Sequence, residues 1–158
     1  MLMKKEYCHF FQKKNKMLDE GVVKFNCVWK KTDLLPNEEL QDLLFWRDKM
    51  VEFNAIGYDK EYNISFGNIS KRKSKTNNFF ISGTNTGQVY PFSKEEISLV
   101  CNIDINKNEV FCKGPVPASS EAMTHGVCYE LSNSINGVIH IHHKELWKKL
   151  MWVYPTTR

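Results

Sequence analysis

The sequence predicts a mixed α/β domain in which hairpin-linked strands and a few helices share one core. Strand-like and helix-like segments are interspersed, and two pairs of strands are joined by short polar turns. This order favours an α+β or three-layer sheet architecture over a doubly wound parallel sheet. A length of 158 residues is enough to bury a sizeable core. We expect residues 1–35 to form an N-terminal arm that can contain a strand, and residues 36–158 to form the domain.

Composition and charge exclude several function classes. The net charge of +4 is mild, and its basic clusters do not join a nucleic-acid-binding motif, so we expect no nucleic-acid partner. We interpret the clusters as solvated surface, compatible with an anionic small molecule: Lys4–Lys5, Lys13–Lys16 and Lys71–Lys75. The start lacks an apolar signal core and no run approaches about 18 apolar residues, so we expect neither secretion nor a membrane span. Five cysteines without a CxxC pair predict reduced thiols and a cytoplasmic location.

The first third of the chain contains one clear helix. Residues 1–20 are polar and Lys-rich, and the pattern leaves open a helix or a partly disordered arm. Val22–Trp29 has the composition of a strand. The helix is predicted from Pro36, with acidic residues in its first turn, to a closing Gly57. Its apolar face consists of Leu40, Leu43, Leu44, Met50, Val51 and Phe53.

A strand, a charged turn and a returning strand follow. Tyr62–Ser70 alternates like a strand, and a skip at Gly67-Asn68 predicts a bulge or a close backbone approach. Residues 71–78 form the turn, and Asn78–Gly83 returns as a strand. The loop Gly83–Gly87 is rich in small hydrogen-bond donors. Such a loop can bind an anion through its backbone N–H groups, or it can be a turn without chemistry.

A capped short helix and a second hairpin are predicted next. Ser93 with Glu96 forms a capping box at the helix start. Leu99–Ile105 and Glu109–Lys113 then form two strands, across which Cys101 and Cys112 can face each other; a disulfide there is the less expected case.

The stretch from residue 114 to residue 143 concentrates the chemistry. A Pro-bounded turn carries two hydroxyls, Ser119 and Ser120, either of which can cap the next helix. That helix is predicted over Glu121–Leu131 and begins with a carboxylate. His125 lies one helical turn further on, and we interpret it as a packed histidine hydrogen-bonded internally. The apolar side of the helix consists of Met123, Val127 and Leu131.

Two imidazoles in the following strand form the candidate metal site. His140 and His142 are two residues apart in a β-branched run, so they share one strand face at roughly 7 Å spacing. Zn²⁺ binds histidine nitrogen at about 2 Å, and catalytic sites use roughly three protein ligands. The alternative is a pair of polar residues on an exposed strand face. His143 belongs to the turn before a final helix, Glu145–Met151, and we do not expect it to be a ligand.

Four short motifs in this order resemble one family, the class II aldolase/adducin-like proteins. The order and spacing are similar from about Asn37 to the end of the sequence. The motifs are Gly67-Asn68-Ile69-Ser70, then Phe80-Ile81-Ser82 with the Thr86-Gly87 loop, then Ala118-Ser119-Ser120-Glu121 with His125, and Val138-Ile139-His140-Ile141-His142.

The resemblance implies a three-layer α/β/α domain with a mostly antiparallel central sheet, assembled as a homo-oligomer, usually a tetramer. It implies that Zn²⁺ or another divalent metal is held by His140 and His142, and that Glu121 transfers a proton. The substrate would be a phosphorylated ketose-type small molecule. Its phosphate would be bound by Gly67, Asn68, Thr86, Gly87, Ser119 and Ser120. The glycine-rich loop is longer than in the sugar-phosphate aldolases, and a register at Ser82-Gly83 stays open.

The resemblance also shows a departure. The family's third metal histidine lies well downstream of the His-x-His strand, whereas this sequence ends at Arg158. We therefore expect a C-terminally shortened domain, either a fragment or a shortened member. The predicted function is a metal-dependent sugar-phosphate aldolase or epimerase-type lyase with a metal-stabilised enediolate. The alternative is an adducin-like non-catalytic interaction module or an inactive fragment.

Overall fold

A six-stranded β-sheet forms the centre of the protein. The computed structural model describes residues 24–33, 38–74, 76–151 and 153. The strands, in spatial order and numbered along the chain, are β1 (Asn26–Lys31), β7 (Glu109–Gly114), β6 (Ile97–Asp104), β5 (Phe79–Ser82), β4 (Asn68–Arg72) and β8 (Gly137–His140). β1 pairs with β7 in parallel, and every other neighbouring pair of this sheet is antiparallel. The predicted α/β fold with a mostly antiparallel central sheet is confirmed.

Helices cover both faces of this sheet, which makes three layers. The helices are α1 (Gln41–Glu52), α2 (Ala122–Leu131) and α3 (Lys144–Leu150), with a short 3-10 helix at Lys94–Glu96. Side chains of β5 alternate between the faces: Phe79 and Ile81 pack in a cluster with α2, and Phe80 packs in a cluster with α1. Burying each such side chain contributes roughly 1.5–3 kcal/mol, so the continuous apolar run of β5 fits a strand covered on both sides.

A second, two-stranded sheet divides the strand predicted at Tyr62–Ser70. It pairs β2 (Gly57–Asp59) with β3 (Ile64–Phe66), and β4 begins two residues after β3. Gly67 lies between β3 and β4 with φ at +69°, and a Cβ there would meet the backbone oxygens of Ala55 and His140 at 3.0 Å. The predicted close backbone approach is therefore present. Instead of the alternative, a bulge, the chain passes at Gly67 from the two-stranded sheet into the six-stranded sheet.

Helix α1 is shorter than predicted at both ends. It begins at Gln41 and ends at Glu52, and Gly57 lies in β2 instead of closing the helix. Asn54 takes the left-handed conformation, with φ at 55°, and its N–H donates to the Val51 carbonyl at 2.9 Å. Asparagine tolerates this conformation, so it ends the helix in the role expected of a glycine. Phe53 is 59% exposed and does not belong to the buried face.

The predicted apolar side of α2 is wrong. Leu131 is 76% exposed, and Met123 and Val127 are only half-buried. The buried residues of the helix are Ala122, His125, Gly126 and Tyr129. Histidine and tyrosine take core positions here because hydrogen bonds to Ser70 satisfy His125 Nδ1 and the Tyr129 hydroxyl.

Arg72 corrects the interpretation of Lys71–Lys75 as solvated surface. Arg72 is only 6% exposed, and it belongs to β4 rather than to the charged turn. Its guanidinium donates five hydrogen bonds of 2.7–2.9 Å, to the backbone oxygens of Ile135, Thr76, Tyr129 and Ser132 and to the side chain of Asn77. Arginine can be buried in this way because its fork matches several carbonyls at once.

The cysteine that faces Cys112 is Cys27, not the predicted Cys101. Cys101 is exposed at a register shift between β6 and β7, and the Cys112 sulfur instead lies 3.6 Å from the Cys27 sulfur of β1. Burial is the main cause that raises the pKa of Cys27 to about 11, and Cys112 adds to it. The four described cysteines are free thiols. Cys8 lies outside the described residues.

The N-terminal strand is present but shifted from Val22–Trp29 to Asn26–Lys31. Residues 1–20 lie outside the described part of the chain, and the division at residue 35 stays a prediction. None of the described helices has the length and apolar composition needed to cross a membrane.

Candidate functional site

A small polar recess lies where the ends of β3, β4 and β5 meet the turn before α2. Six of its residues are the predicted phosphate-binding residues, which come from three separate stretches of the chain. The recess is lined by Ser65, Gly67, Asn68, Gly83, Thr84, Asn85, Thr86, Gly87, Ser119 and Ser120. The described residues of its lining include no charged side chain, so they offer amide and hydroxyl groups to a ligand.

The loop Gly83–Gly87, here named the glycine loop, is fixed at both ends. The Gly83 N–H donates to the Glu96 carbonyl at 2.7 Å, and the Thr86 hydroxyl donates to the Gly83 carbonyl at 2.8 Å. The Gly87 N–H donates to the Ser65 hydroxyl at 3.1 Å. A Cβ on Gly87 would lie 1.9 Å from the Gly57 carbonyl oxygen. Only glycine therefore fits where this loop crosses β2.

The serine turn closes the other side of the recess. A bridge pairs Gly83 with Ala118, and the Ser119 N–H donates to the Ser82 carbonyl at 3.2 Å. The Ser119 hydroxyl accepts the Glu121 N–H at 3.3 Å, so Ser119 satisfies a donor at the start of α2. Ser120 lies between them, half-buried in the recess lining. The turn therefore presents hydroxyls at a helix N-terminus, where an anion is favoured.

Glu121 occupies the N-cap position of α2, where Ser119 or Ser120 was predicted, and its side chain makes no capping hydrogen bond. Its carboxylate accepts a hydrogen bond from the Thr124 hydroxyl at 3.2 Å, and it is half-buried directly after the recess residue Ser120. Within the described residues, no hydrogen bond joins this carboxylate to His140 or His142. The structure thus places Glu121 beside the recess, while its predicted meeting with the two imidazoles stays a prediction.

His140 and His142 point to the same side. Their Nε2 atoms are 3.1 Å apart, although His142 lies two residues beyond the end of β8. Two nitrogens that share one tetrahedral Zn²⁺ at about 2 Å lie roughly 3.3 Å apart, so this pair fits two positions of such a site. The Asn68 amide nitrogen lies 3.4 Å from His140 Nδ1, which links the pair to the recess.

The described residues do not place a third metal-binding side chain beside His140 and His142. Among the described residues, no group of three His, Cys, Asp or Glu side chains is arranged to hold a metal ion. His143 is not a candidate, because its Nδ1 accepts the Leu146 N–H at 3.2 Å and thereby caps α3. The described side chains therefore supply two of the roughly three protein ligands that a catalytic divalent metal uses.

His125 is a packed histidine, in agreement with its interpretation from the sequence. It is 1% exposed, and its Nδ1 lies 2.7 Å from the Ser70 hydroxyl, which also contacts the Tyr129 hydroxyl at 2.7 Å. Burial lowers the pKa of His125 to about 3, and the charge of His140 adds to the effect. Burial also raises the pKa of Tyr129 to about 12.

Two buried polar atoms near the site have no hydrogen-bond partner among the described residues: Asn68 Oδ1 and His125 Nε2. An unsatisfied buried amide oxygen is costly, and Asn68 lines the recess. A ligand or water in the recess would satisfy this atom, which is an independent indication of a binding site.

Two residues of the site were missed from the sequence. Ser65 comes from the β2–β3 hairpin, and its approach to Gly87 depends on a tertiary contact that no local pattern indicates. Arg47 is 1% exposed and contacts the glycine loop. The sequence does contain a pattern that predicts the burial of Arg47, because Arg47 follows Leu40 and Leu43 at helical spacing on the apolar face of α1.

Comparison with known proteins identifies the class. The family model named "Class II Aldolase and Adducin N-terminal domain" matches residues 49–147, and the chain belongs to this family. A solved structure similar to the chain is that of an L-fuculose 1-phosphate aldolase, with 22% sequence identity and a TM-score of 0.48. The match covers 69% of this chain and 46% of that one, so the chain spans less than half of the aldolase. No curated protein matches the chain significantly.

Proposed function

We propose that this domain belongs to a class II aldolase-type lyase that acts on a phosphorylated ketose. One observation carries the proposal: the recess collects three distant motifs into a single polar site, and Asn68 connects that site to the paired imidazoles. Family membership supports the proposed reaction class, since residues 49–147 match the class II aldolase and adducin domain.

The recess is the proposed site for the substrate phosphate. Gly67, Asn68, Thr86, Gly87, Ser119 and Ser120 supply its backbone and side-chain donors. The N–H groups of Asn85 and Thr86 have no acceptor among the described residues, which leaves them for an anion. The positive end of the α2 dipole adds to the attraction. Neutral donors suit a reversible site, because they bind the phosphate without an ion pair inside the protein.

Proton transfer is the proposed role of Glu121. In a retro-aldol cleavage, a base takes the proton of the C4 hydroxyl, the C3–C4 bond breaks, and its electron pair passes into an enediolate that is then protonated. A half-buried carboxylate beside the recess can carry that proton. His140 and His142 would hold Zn²⁺ or another divalent metal, and such an ion supplies the positive charge that stabilises an enediolate. An epimerase reaction would use the same residues, with the aldehyde fragment kept in the site.

The test combines metal analysis with a cleavage assay. Purified protein is dialysed against limiting Zn²⁺, its zinc is measured by mass spectrometry, and ketose 1-phosphates are supplied as substrates. We expect zinc to be lost in His140→Ala, and formation of dihydroxyacetone phosphate to be lost in Glu121→Gln. His143→Asn, which keeps a helix cap, and Glu130→Gln, on the exposed side of α2, serve as controls. Cleavage that survives Glu121→Gln would contradict the assigned role.

A non-catalytic, adducin-like interaction module is the second candidate. It is favoured by the absence of a three-ligand group among the described residues. Folded protein that binds no stoichiometric metal and cleaves no ketose phosphate, with neither property changed by the variants above, would select this candidate. We also propose a homo-oligomer, a tetramer by family resemblance, which sedimentation velocity tests. The cytoplasmic location stays a prediction.

A further inference from the structure

We propose that Arg47 is a positioning residue for the anion site: its buried guanidinium holds the glycine loop in the shape that binds phosphate. The inference rests on the proposed function, because it assumes that the recess binds the substrate phosphate. It adds a residue from the helical layer, outside every motif that carries the family resemblance.

The contacts of Arg47 converge on the back of the loop. Its two terminal nitrogens donate to the carbonyl oxygens of Val89 at 2.5 Å, of Thr86 at 2.8 Å and of Gly87 at 3.2 Å. All three acceptors lie within four residues of chain. One rigid guanidinium fork therefore fixes the direction of several consecutive peptide groups.

Fixing these carbonyls has a consequence for the opposite side of the loop. Thr86 and Gly87 both line the recess, while their carbonyl oxygens point to Arg47. A peptide whose oxygen turned into the recess would repel a phosphate, so the guanidinium keeps these two oxygens out of it. The Gly87 N–H donates to the Ser65 hydroxyl, so Arg47 and Ser65 together fix the backbone directly after the N–H groups of Asn85 and Thr86. Its positive charge also lies directly behind the loop, where it favours an anion in front.

Neighbouring groups hold Arg47 itself in place. The guanidinium lies over the Phe92 ring, 4.3 Å from the centroid, and it is 3.6 Å from the Asp48 carboxylate. Asp48 in turn accepts the Phe92 N–H at 3.0 Å. A residue that only filled the core would not need this arrangement, since a leucine at position 47 would continue the apolar face of α1 at lower cost.

The test uses inorganic phosphate as the probe. Phosphate is titrated into the wild type, Arg47→Met and Arg47→Lys by isothermal titration calorimetry, with the folded fraction of each protein measured by circular dichroism. The matched control is Arg72→Met. Arg72 is a second buried arginine that binds backbone carbonyls, but its acceptors lie at the opposite end of β4 and outside the recess.

We expect Arg47→Met to weaken phosphate binding at least about tenfold per folded molecule, as the loss of charged hydrogen bonds predicts. Arg47→Lys keeps the charge but not the fork, so we expect an intermediate weakening. Arg72→Met is expected to lower stability and leave phosphate affinity unchanged. Amide hydrogen exchange of the glycine loop should quicken in the Arg47 variants and not in the control.

Three results would overturn the inference, and only the last of them would also refute the proposed function. Folded Arg47 variants that bind phosphate like the wild type would refute the role of Arg47 and leave the proposed function intact. An equal loss in Arg72→Met would show a general effect of destabilisation. A wild type that binds no phosphate would instead refute the anion site and with it the proposed function.

Discussion

The two halves of the candidate site are built very differently. In the recess, Asn68 and Ser119 are each 5% exposed and Thr86 is 9% exposed, and hydrogen bonds fix the surrounding backbone. The histidine pair lies at the end of β8, a strand at the edge of the sheet, and His142 is exposed. Helix α3, which follows, buries no residue. The proposed anion half is therefore built from buried, hydrogen-bonded residues, whereas the described residues supply only two imidazoles to the proposed cation half.

This difference separates stability from ligand binding. Residues of the recess also hold β3, β4, β5 and the start of α2 together, so changes there affect folding. The imidazoles contribute few buried contacts, so we expect changes there to affect the proposed ion binding and to affect stability little. The following predictions test that separation, beginning with the largest expected effect.

Gly87→Ala should be the most destabilising substitution. The added Cβ would lie 1.9 Å from the Gly57 oxygen, and backbone on both sides must move. We expect a loss of about 3 kcal/mol or more in the free energy of unfolding, the upper range for overpacking. Gly137→Ala is the control, because its nearest neighbour, the Ser70 oxygen, is at 3.6 Å. Urea denaturation measures both, and equal stabilities of the two variants would show that the loop is not tightly packed.

Acid should destabilise the protein through His125. Its pKa is about 3 in the folded protein, against an ordinary value of 6.5 for an exposed histidine. Between these pH values the unfolded chain therefore binds a proton that the folded protein does not. This stabilisation is complete above pH 6.5 and is lost progressively as the pH falls toward 3. The loss amounts to about 2 kcal/mol at pH 5. In His125→Gln the dependence between these pH values should flatten, as unfolding experiments at several pH values will show; an unchanged slope would contradict the assignment.

Ser119→Ala should have a moderate effect. Its hydroxyl accepts the Glu121 N–H in the turn before α2, and loss of such a hydrogen bond costs about 1 kcal/mol. Ser120→Ala, for which the described residues show no comparable bond, should change stability less while still weakening phosphate binding. Thermal unfolding and phosphate titration of both variants separate the two roles, and an equal loss of stability would refute the distinction.

The smallest effect on folding is expected for the histidine pair. Replacing both His140 and His142 by alanine should change the free energy of unfolding by less than about 1 kcal/mol in the presence of a chelator. Zinc binding, measured by competition with a chromophoric chelator, should be lost in the same protein. A large loss of stability without metal would show that the pair has a structural role.

The sequence predicted the elements that depend on local chemistry. The capping box at Ser93 is present, with Glu96 accepting the Ser93 N–H at 3.0 Å. The continuous apolar run of β5 and the Asn-Gly turn before β8 are also local patterns, and both elements are observed. Six residues that line the recess were selected because they lie in motifs of a family, not because spacing alone brings them together.

Tertiary contacts explain what the sequence did not predict. The buried side of α2 was misplaced because His125 and Tyr129 enter the core through Ser70, which is more than fifty residues away in the chain. Arg72 was treated as part of a solvated cluster and Arg47 was not singled out, because burial of arginine requires acceptors on other elements. The division of β3 from β4 depends on which strands pair with each. Side chains alternate between faces in the same way in both sheets, so the residue pattern could not reveal the division.

The segment from Ala55 to Gly67 touches both halves of the site. The Ala55 carbonyl accepts the His142 N–H at 2.9 Å, and Phe66 packs near the His142 ring, while Ser65 holds the Gly87 N–H. A single stretch of backbone thus sets the separation between the two binding groups. If the recess binds the phosphate and the histidine pair binds a metal, as proposed, the length of this hairpin would decide how many carbons fit between a phosphate and a coordinated hydroxyl.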